Sequence, residues 1–215
     1  MNRHRLAAAL AVAALLPATR SHAQAWAYPS FQPPRVITRE YNFGIADADG
    51  GGASIVFQWR EQSGPQTQFS FDLGLADTDG RDDDLVLFGG VGIGHRLGSA
   101  TPEVPLDFLF TGGAYLAIGD VTLFRLPIGV SMGHRFNLGD GMSLTPYVHP
   151  RLSIDFCSDC RDETDIGLAF DLGASFQLTR SVSIRGAAVF SGSDYFDEGF
   201  GVSIAWTPPS LARRR

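Results

Sequence analysis

Three groups of residues in this 215-residue chain have types and spacings that could do chemistry. His149, Ser153 and Asp155 fall at alternate positions of one extended stretch, so their side chains leave the backbone on the same side. An imidazole, a hydroxyl and a carboxylate within reach of one another are the parts of a nucleophilic hydrolase. The neighbouring residues supply neither an oxyanion motif nor an orienting one, so catalysis is the alternative expectation and the principal one is no catalytic residue. The second group is Asp77-Thr78-Asp79-Gly80-Arg81-Asp82, with oxygen donors at alternate positions and a glycine for the bend, as the opening of a calcium loop requires. Phe88 stands where such a loop places its bidentate glutamate. The loop therefore reads as an Asx-rich turn whose Asp77, Asp79 and Asp82 hold calcium weakly at most. The third group is Cys157-Ser158-Asp159-Cys160. With no second pair it lacks the ligands of a zinc site, and no βαβ pattern surrounds it as a redox motif needs. In an exported chain it reads as a small-loop disulfide.

The elements that must position these groups are strands. In residues 121–138, Phe124, Leu126, Ile128, Val130, Met132 and Phe136 share one face, interrupted by His134, while Arg125, Pro127, Gly129, Ser131, Gly133 and Arg135 share the other. A period of two held this long excludes a helix. Residues 164–178 repeat the pattern, with Ile166, Leu168, Phe170, Leu172, Phe176 and Leu178 opposite Gly167, Asp171, Gly173, Ser175 and Gln177. The second face is mostly small residues and isolated charges, which suits a crowded interior better than a solvated surface and fits a barrel that turns its apolar side chains to lipid. Ten such strands are expected, at 36–46, 53–61, 67–76, 84–97, 104–118, 121–138, 143–156, 164–178, 181–190 and 199–206, with eight as the smaller alternative. The fourth is the weakest, because Val86 and Phe88 fall on what should be the inner face.

The chain opens with Met1-Asn-Arg-His-Arg5, an apolar run and the small residues Ser21-His-Ala23-Gln-Ala25, the order of a secretory signal peptide over 1–25. A Pro-rich periplasmic lead at 26–35, the barrel at 36–206 and a basic tail at 207–215 complete the expected organisation. The formal net charge of -6 argues against a nucleic-acid partner. That excess sits in alternate connections, those carrying Asp47 and Asp49, Asp77 to Asp84, Asp120, Asp159 to Asp165 and Asp194 to Glu198, which an up-and-down barrel gathers on one rim. Trp59, Phe69, Phe136, Phe176 and Trp206 share the outward parity near the opposite rim, as an interfacial aromatic girdle does.

By these patterns, and by the closing Gly201-Val-Ser-Ile-Ala-Trp206, the chain resembles the small outer-membrane β-barrel proteins of diderm bacteria. The resemblance implies an all-β, antiparallel up-and-down transmembrane β-barrel in the bacterial outer membrane. It also implies outer-membrane lipid and, through the last strand, the barrel-assembly machinery as partners. The inward parity collects Glu40, Arg60, Asp72, Arg96, Asp107, Arg125, Arg135, Tyr147, His149, Arg151, Asp155, Asp171 and Arg185, a lumen charge network of both signs that should pair. The expected function is non-catalytic, with a structural, adhesive or narrow-pore role. An outer-membrane hydrolase or lipid-modifying enzyme, or a soluble secreted β-barrel or sandwich, are the alternatives.

Overall fold

The fold was established from a computed structural model, which describes residues 28–48, 52–78, 84–119, 122–158, 163–192 and 198–209. Among these, eleven strands run in order: β1 (Arg39–Ala48), β2 (Ala53–Gln62), β3 (Thr67–Thr78), β4 (Asp84–Gly98), β5 (Asp107–Ile118), β6 (Thr122–Gly133), β7 (Phe136–Gly139), β8 (Met142–Cys157), β9 (Thr164–Gln177), β10 (Val182–Ser191) and β11 (Gly199–Trp206). Consecutive strands pair antiparallel except β6 and β7, which both pair with β8, and β1 pairs β11. The short β7 prolongs β6 past a break at His134 and Arg135, so ten strands stand around a closed wall. Closure leaves no strand edge to satisfy, which is what a sheet in hydrocarbon requires.

The prolines in the wall leave gaps in the ladder rather than bulges. Pairing lapses beside Pro127 and Pro150 but resumes in the same register on either side, while the shifts lie at Arg96/Gly98 and Asn137/Gly139.

Alternation sorts the side chains as a membrane barrel needs. Ile55, Leu85, Val91, Ile166, Leu168 and Leu172 are among a continuous outer band of exposed aliphatics, with Leu168 at 68% and Leu172 at 53%. A band of this extent on a water-soluble protein would aggregate; in lipid it is the matching surface. At the rim where β1 starts and β11 ends, Tyr41 lies between Trp59 and Trp206 in register and stacks on Trp206 at 5.6 Å. Phe69 and Phe136 are exposed on the same outer surface, and Phe176 and Trp59 are partly exposed. Phe43 packs on Phe57 at 5.1 Å one rung above this girdle.

Leu172→Arg should lower the unfolding free energy by about 2 to 4 kcal/mol if the site lies near the bilayer midplane, read by urea unfolding in lipid vesicles. Ser175, three residues along β9 on its inner face, is no milder a site. It is 3% exposed and 3.5 Å from the Arg185 guanidinium, so a second arginine there has no room and a like charge beside it.

Candidate functional site

The lumen is occupied by the chain's own N-terminal segment. Sequence reading places 26–35 before the barrel as a periplasmic lead; in the structure residues 28–37 lie inside it, tied to opposite walls. Tyr28 donates to Asp72 at 2.9 Å on β3, Arg60 on β2 donates to the Ser30 carbonyl at 2.8 Å, and Ser131 on β6 donates to the Gln32 carbonyl at 2.7 Å. Arg185 on β10 donates to the Phe31 carbonyl at 3.2 Å, and the Ile37 amide donates to Gln68 on β3 at 2.8 Å. Pro29, Pro33 and Pro34 have no amide proton to give a ladder, so a segment rich in them suits a plug held by wall side chains.

Phe31 anchors the plug. It is fully buried and sits at φ 47°, a left-handed conformation that costs a bulky residue about 1 to 3 kcal/mol and persists only where surroundings enforce it. The enforcement is visible at Gly44 and Gly201, where an added Cβ would come within 3.1 and 2.7 Å of the Phe31 ring. Tyr28 stacks on Phe88 at 5.1 Å, and with Phe31, Val56, Ala76, Val86, Ala117 and Leu123 they form an apolar core inside the barrel. This explains why Val86 and Phe88 break the expected alternation. They face inward because the plug brings them apolar partners.

The charged residues form separate clusters below that core. Glu40 accepts from Arg60 at 3.1 Å and from Arg185 at 2.7 and 2.5 Å, and all three are at most 2% exposed. Arg125 holds Asp155 through two parallel bonds of 2.7 Å. Arg151 donates to Asp171 at 2.6 Å. Such pairs survive burial because each carboxylate meets a guanidinium in good geometry. Tyr147 is buried beside Gly173. Arg96 and Asp107 lie at the near rim with the exposed Arg135, around a cavity of about 230 Å³ that Arg35 and Thr145 also line.

The hydrolase set expected on β8 is not assembled. Asp155 is committed to Arg125, and Ser153 reaches only Asp155, at 3.3 Å. His149 instead contacts Ser30 through Nδ1 at 2.8 Å and Thr111 through Nε2 at 2.8 Å, while Ser30 donates to Asp171 at 2.7 Å. One proton arrangement fits all four groups: Thr111 donates to Nε2, Nδ1 donates to Ser30, and Ser30 donates to Asp171. Ser30 and Thr111 escape sequence reading because both join His149 across more than 35 residues of chain. The relay polarises the Thr111 hydroxyl.

The loop chemistry falls largely outside the described residues. Asp77 is next to last in β3 with its side chain exposed, whereas Asp79 and Asp82 lie outside. Cys157 ends β8 and is buried; Cys160 lies outside, as do residues 1–27 with the expected signal peptide, and 210–215 of the tail. Of the acidic rim, Asp47, Asp77, Asp84, Glu163, Asp165 and Glu198 stand at the far ends of strands. The connecting residues between them are not described. Among the described residues no group of three or more His, Cys, Asp or Glu is placed to hold a metal.

No protein-family model and no curated protein matches the sequence. Solved structures do. The beta domain of the Bordetella autotransporter BrkA matches with a TM-score of 0.52 at 10% identity, over 79% of this chain and 98% of that one. LpxR from Salmonella typhimurium matches with a TM-score of 0.49 at 9% identity, over 79% and 100%. A bacterial polysaccharide outer-membrane secretin matches with 0.49 at 11% over 74% of this chain, which spans only 57% of the secretin's length. At these identities the likeness to the autotransporter domain shows a shared fold, the bacterial outer-membrane β-barrel.

Proposed function

For a chain that is a bacterial outer-membrane β-barrel in fold and in its apolar outer band, we propose a plugged, non-conducting and non-catalytic role, with the far rim turned to the cell exterior. The observation that carries this reading is the plug itself. Residues 28–37 bond to β2, β3, β6 and β10, and the apolar core around Tyr28 and Phe31 fills the lumen above the ion pairs. A ten-stranded wall is only a little wider than the eight-stranded barrel that its own side chains fill, so one added segment takes up most of the room and leaves no continuous aqueous path. Placing the far rim outside puts Asp47, Asp77, Glu163 and Glu198 on the cell surface, where the barrel presents an acidic face and acts as a structural or adhesive element. The single disulfide of that surface would join Cys157 to Cys160.

The Thr111–His149 relay does not overturn the non-catalytic reading. Its hydroxyl sits in mid-strand, at a residue in register with Gly94 and Gly129, where backbone N–H groups lie in the plane of the sheet rather than turned to the lumen, leaving no preorganised pair of donors for an oxyanion. The test is electrical. The refolded full chain in a planar bilayer should show no stepwise conductance; ohmic channels from the intact protein would contradict the proposal, and covalent capture of Thr111 by an organophosphate would contradict its non-catalytic part.

A further inference from the structure

Between the plug and the wall lies a cavity of about 80 Å³ that the ion pairs and the apolar core leave unfilled. At 10 to 15 Å³ per water this is room for roughly five to eight water molecules, or one ligand of about a dozen non-hydrogen atoms. Its floor is made by sequence. Gly90 and Gly92 on β4 and Gly113 on β5 face Tyr115, and a Cβ on any of them would meet the tyrosine ring or hydroxyl, so glycine on these rungs lets the phenol lie against the wall with open space above it. Ser70 and Thr111 present hydroxyls to the same space.

Asp72 gives the cavity its chemistry. It is 4% exposed, and its Oδ2 accepts from Tyr28 and from Gln58, both at 2.9 Å. Its Oδ1 is buried with no donor. A buried carboxylate oxygen left unpaired is costly, so this atom asks for a donor from whatever occupies the cavity. The other charges around the space are Arg60, Arg125 and Arg151, each already held by a carboxylate, Glu40, Asp155 and Asp171 in turn. With Arg185, which shares Glu40, these guanidinium groups balance Glu40, Asp72, Asp155 and Asp171, so an ammonium or a carboxylate ligand would bring in a buried charge with no counter-ion. A neutral hydroxyl avoids this, because it can donate to Asp72 and accept from its neighbours in the same pose.

We propose that the cavity between Asp72, Thr111 and Tyr115 binds a small neutral polyhydroxylated ligand of monosaccharide size. One hydroxyl donates to Asp72 Oδ1, others pair with the Ser70 and Thr111 hydroxyls, and the C–H face of the ring lies against Tyr115.

Isothermal titration of the refolded full chain with D-glucose, D-galactose, ethanolamine and acetate tests this. One of the sugars should bind in a one-to-one complex, and Asp72→Asn and Thr111→Val should each weaken it about tenfold, the loss expected for a hydrogen bond in which one partner is charged or buried. Ethanolamine and acetate should give no heat. Thr111→Val makes no contact with the plug's backbone and keeps the side-chain shape, so it serves if Asp72→Asn loosens Tyr28; heat-modifiable migration on a gel checks that each variant is folded. No sugar binding at tens of millimolar, binding unchanged in both folded variants, or ethanolamine binding that depends on Asp72 would each overturn the proposal.

Discussion

Deleting residues 28–37 should turn an electrically silent barrel into a conducting one. The segment carries the rings that close the lumen, Tyr28 and Phe31, and its carbonyls at Ser30, Phe31 and Gln32 take hydrogen bonds from Arg60, Arg185 and Ser131. Without it those groups face a water-filled space lined by Asp72, His149 and Arg151, a polar path bounded by a wall that still closes through β1 and β11. Planar-bilayer recordings of the intact and deleted chains, each confirmed as folded by heat-modifiable migration, should differ as absence and presence of stepwise conductance. A folded deletion variant that stays silent would show that the wall side chains alone fill the lumen.

Glu40→Ala should be among the most destabilising single changes in the protein. One carboxylate, 1% exposed, serves two guanidinium groups that are themselves buried, Arg60 and Arg185. Removing it strands both charges in a site with little water, a loss of about 3 to 5 kcal/mol by comparison with other buried pairs broken on one side. Exposed Arg39 and Glu61 make the contrast. They pair near the same rim, both partly solvated, and Glu61→Ala should cost less than about 1 kcal/mol. Urea unfolding in lipid vesicles measures both. Equal small losses would mean that Arg60 and Arg185 find other acceptors, such as the Ser30 and Phe31 carbonyls they already touch.

The strands were legible because a barrel wall imposes a period of two along each of them, and Ile166 through Leu178 or Phe124 through Phe136 cannot satisfy that period by chance. Inward parity likewise brings Glu40, Arg60, Asp72, His149, Asp155, Asp171 and Arg185 to one enclosed space. What parity cannot supply is pairing. Which arginine meets which carboxylate depends on the order of strands around the closed wall, and Glu40 meets Arg185 across 145 residues because β1 and β10 both flank β11. The plug was illegible for a different reason. Residues 28–37 have no periodicity, three prolines, and hydrogen bonds almost wholly to side chains far away in sequence. Their one trace was indirect, in the apolar Val86 and Phe88 on an inner face that is otherwise small or polar. Ser153 was a misreading of the same kind: the right parity beside His149, but the serine that reaches the imidazole comes from the plug.

The most direct measurement is the accessibility of the plug in the folded barrel. Gln32→Cys, made in a chain whose Cys157 and Cys160 are replaced by serine, places a thiol at a position that is 6% exposed and whose backbone carbonyl is held by Ser131. A bulky membrane-impermeant maleimide should leave this thiol unmodified in the folded barrel and label it fully after heat denaturation. Labelling of the folded barrel as fast as of the denatured chain would place residues 28–37 outside the lumen and contradict the account.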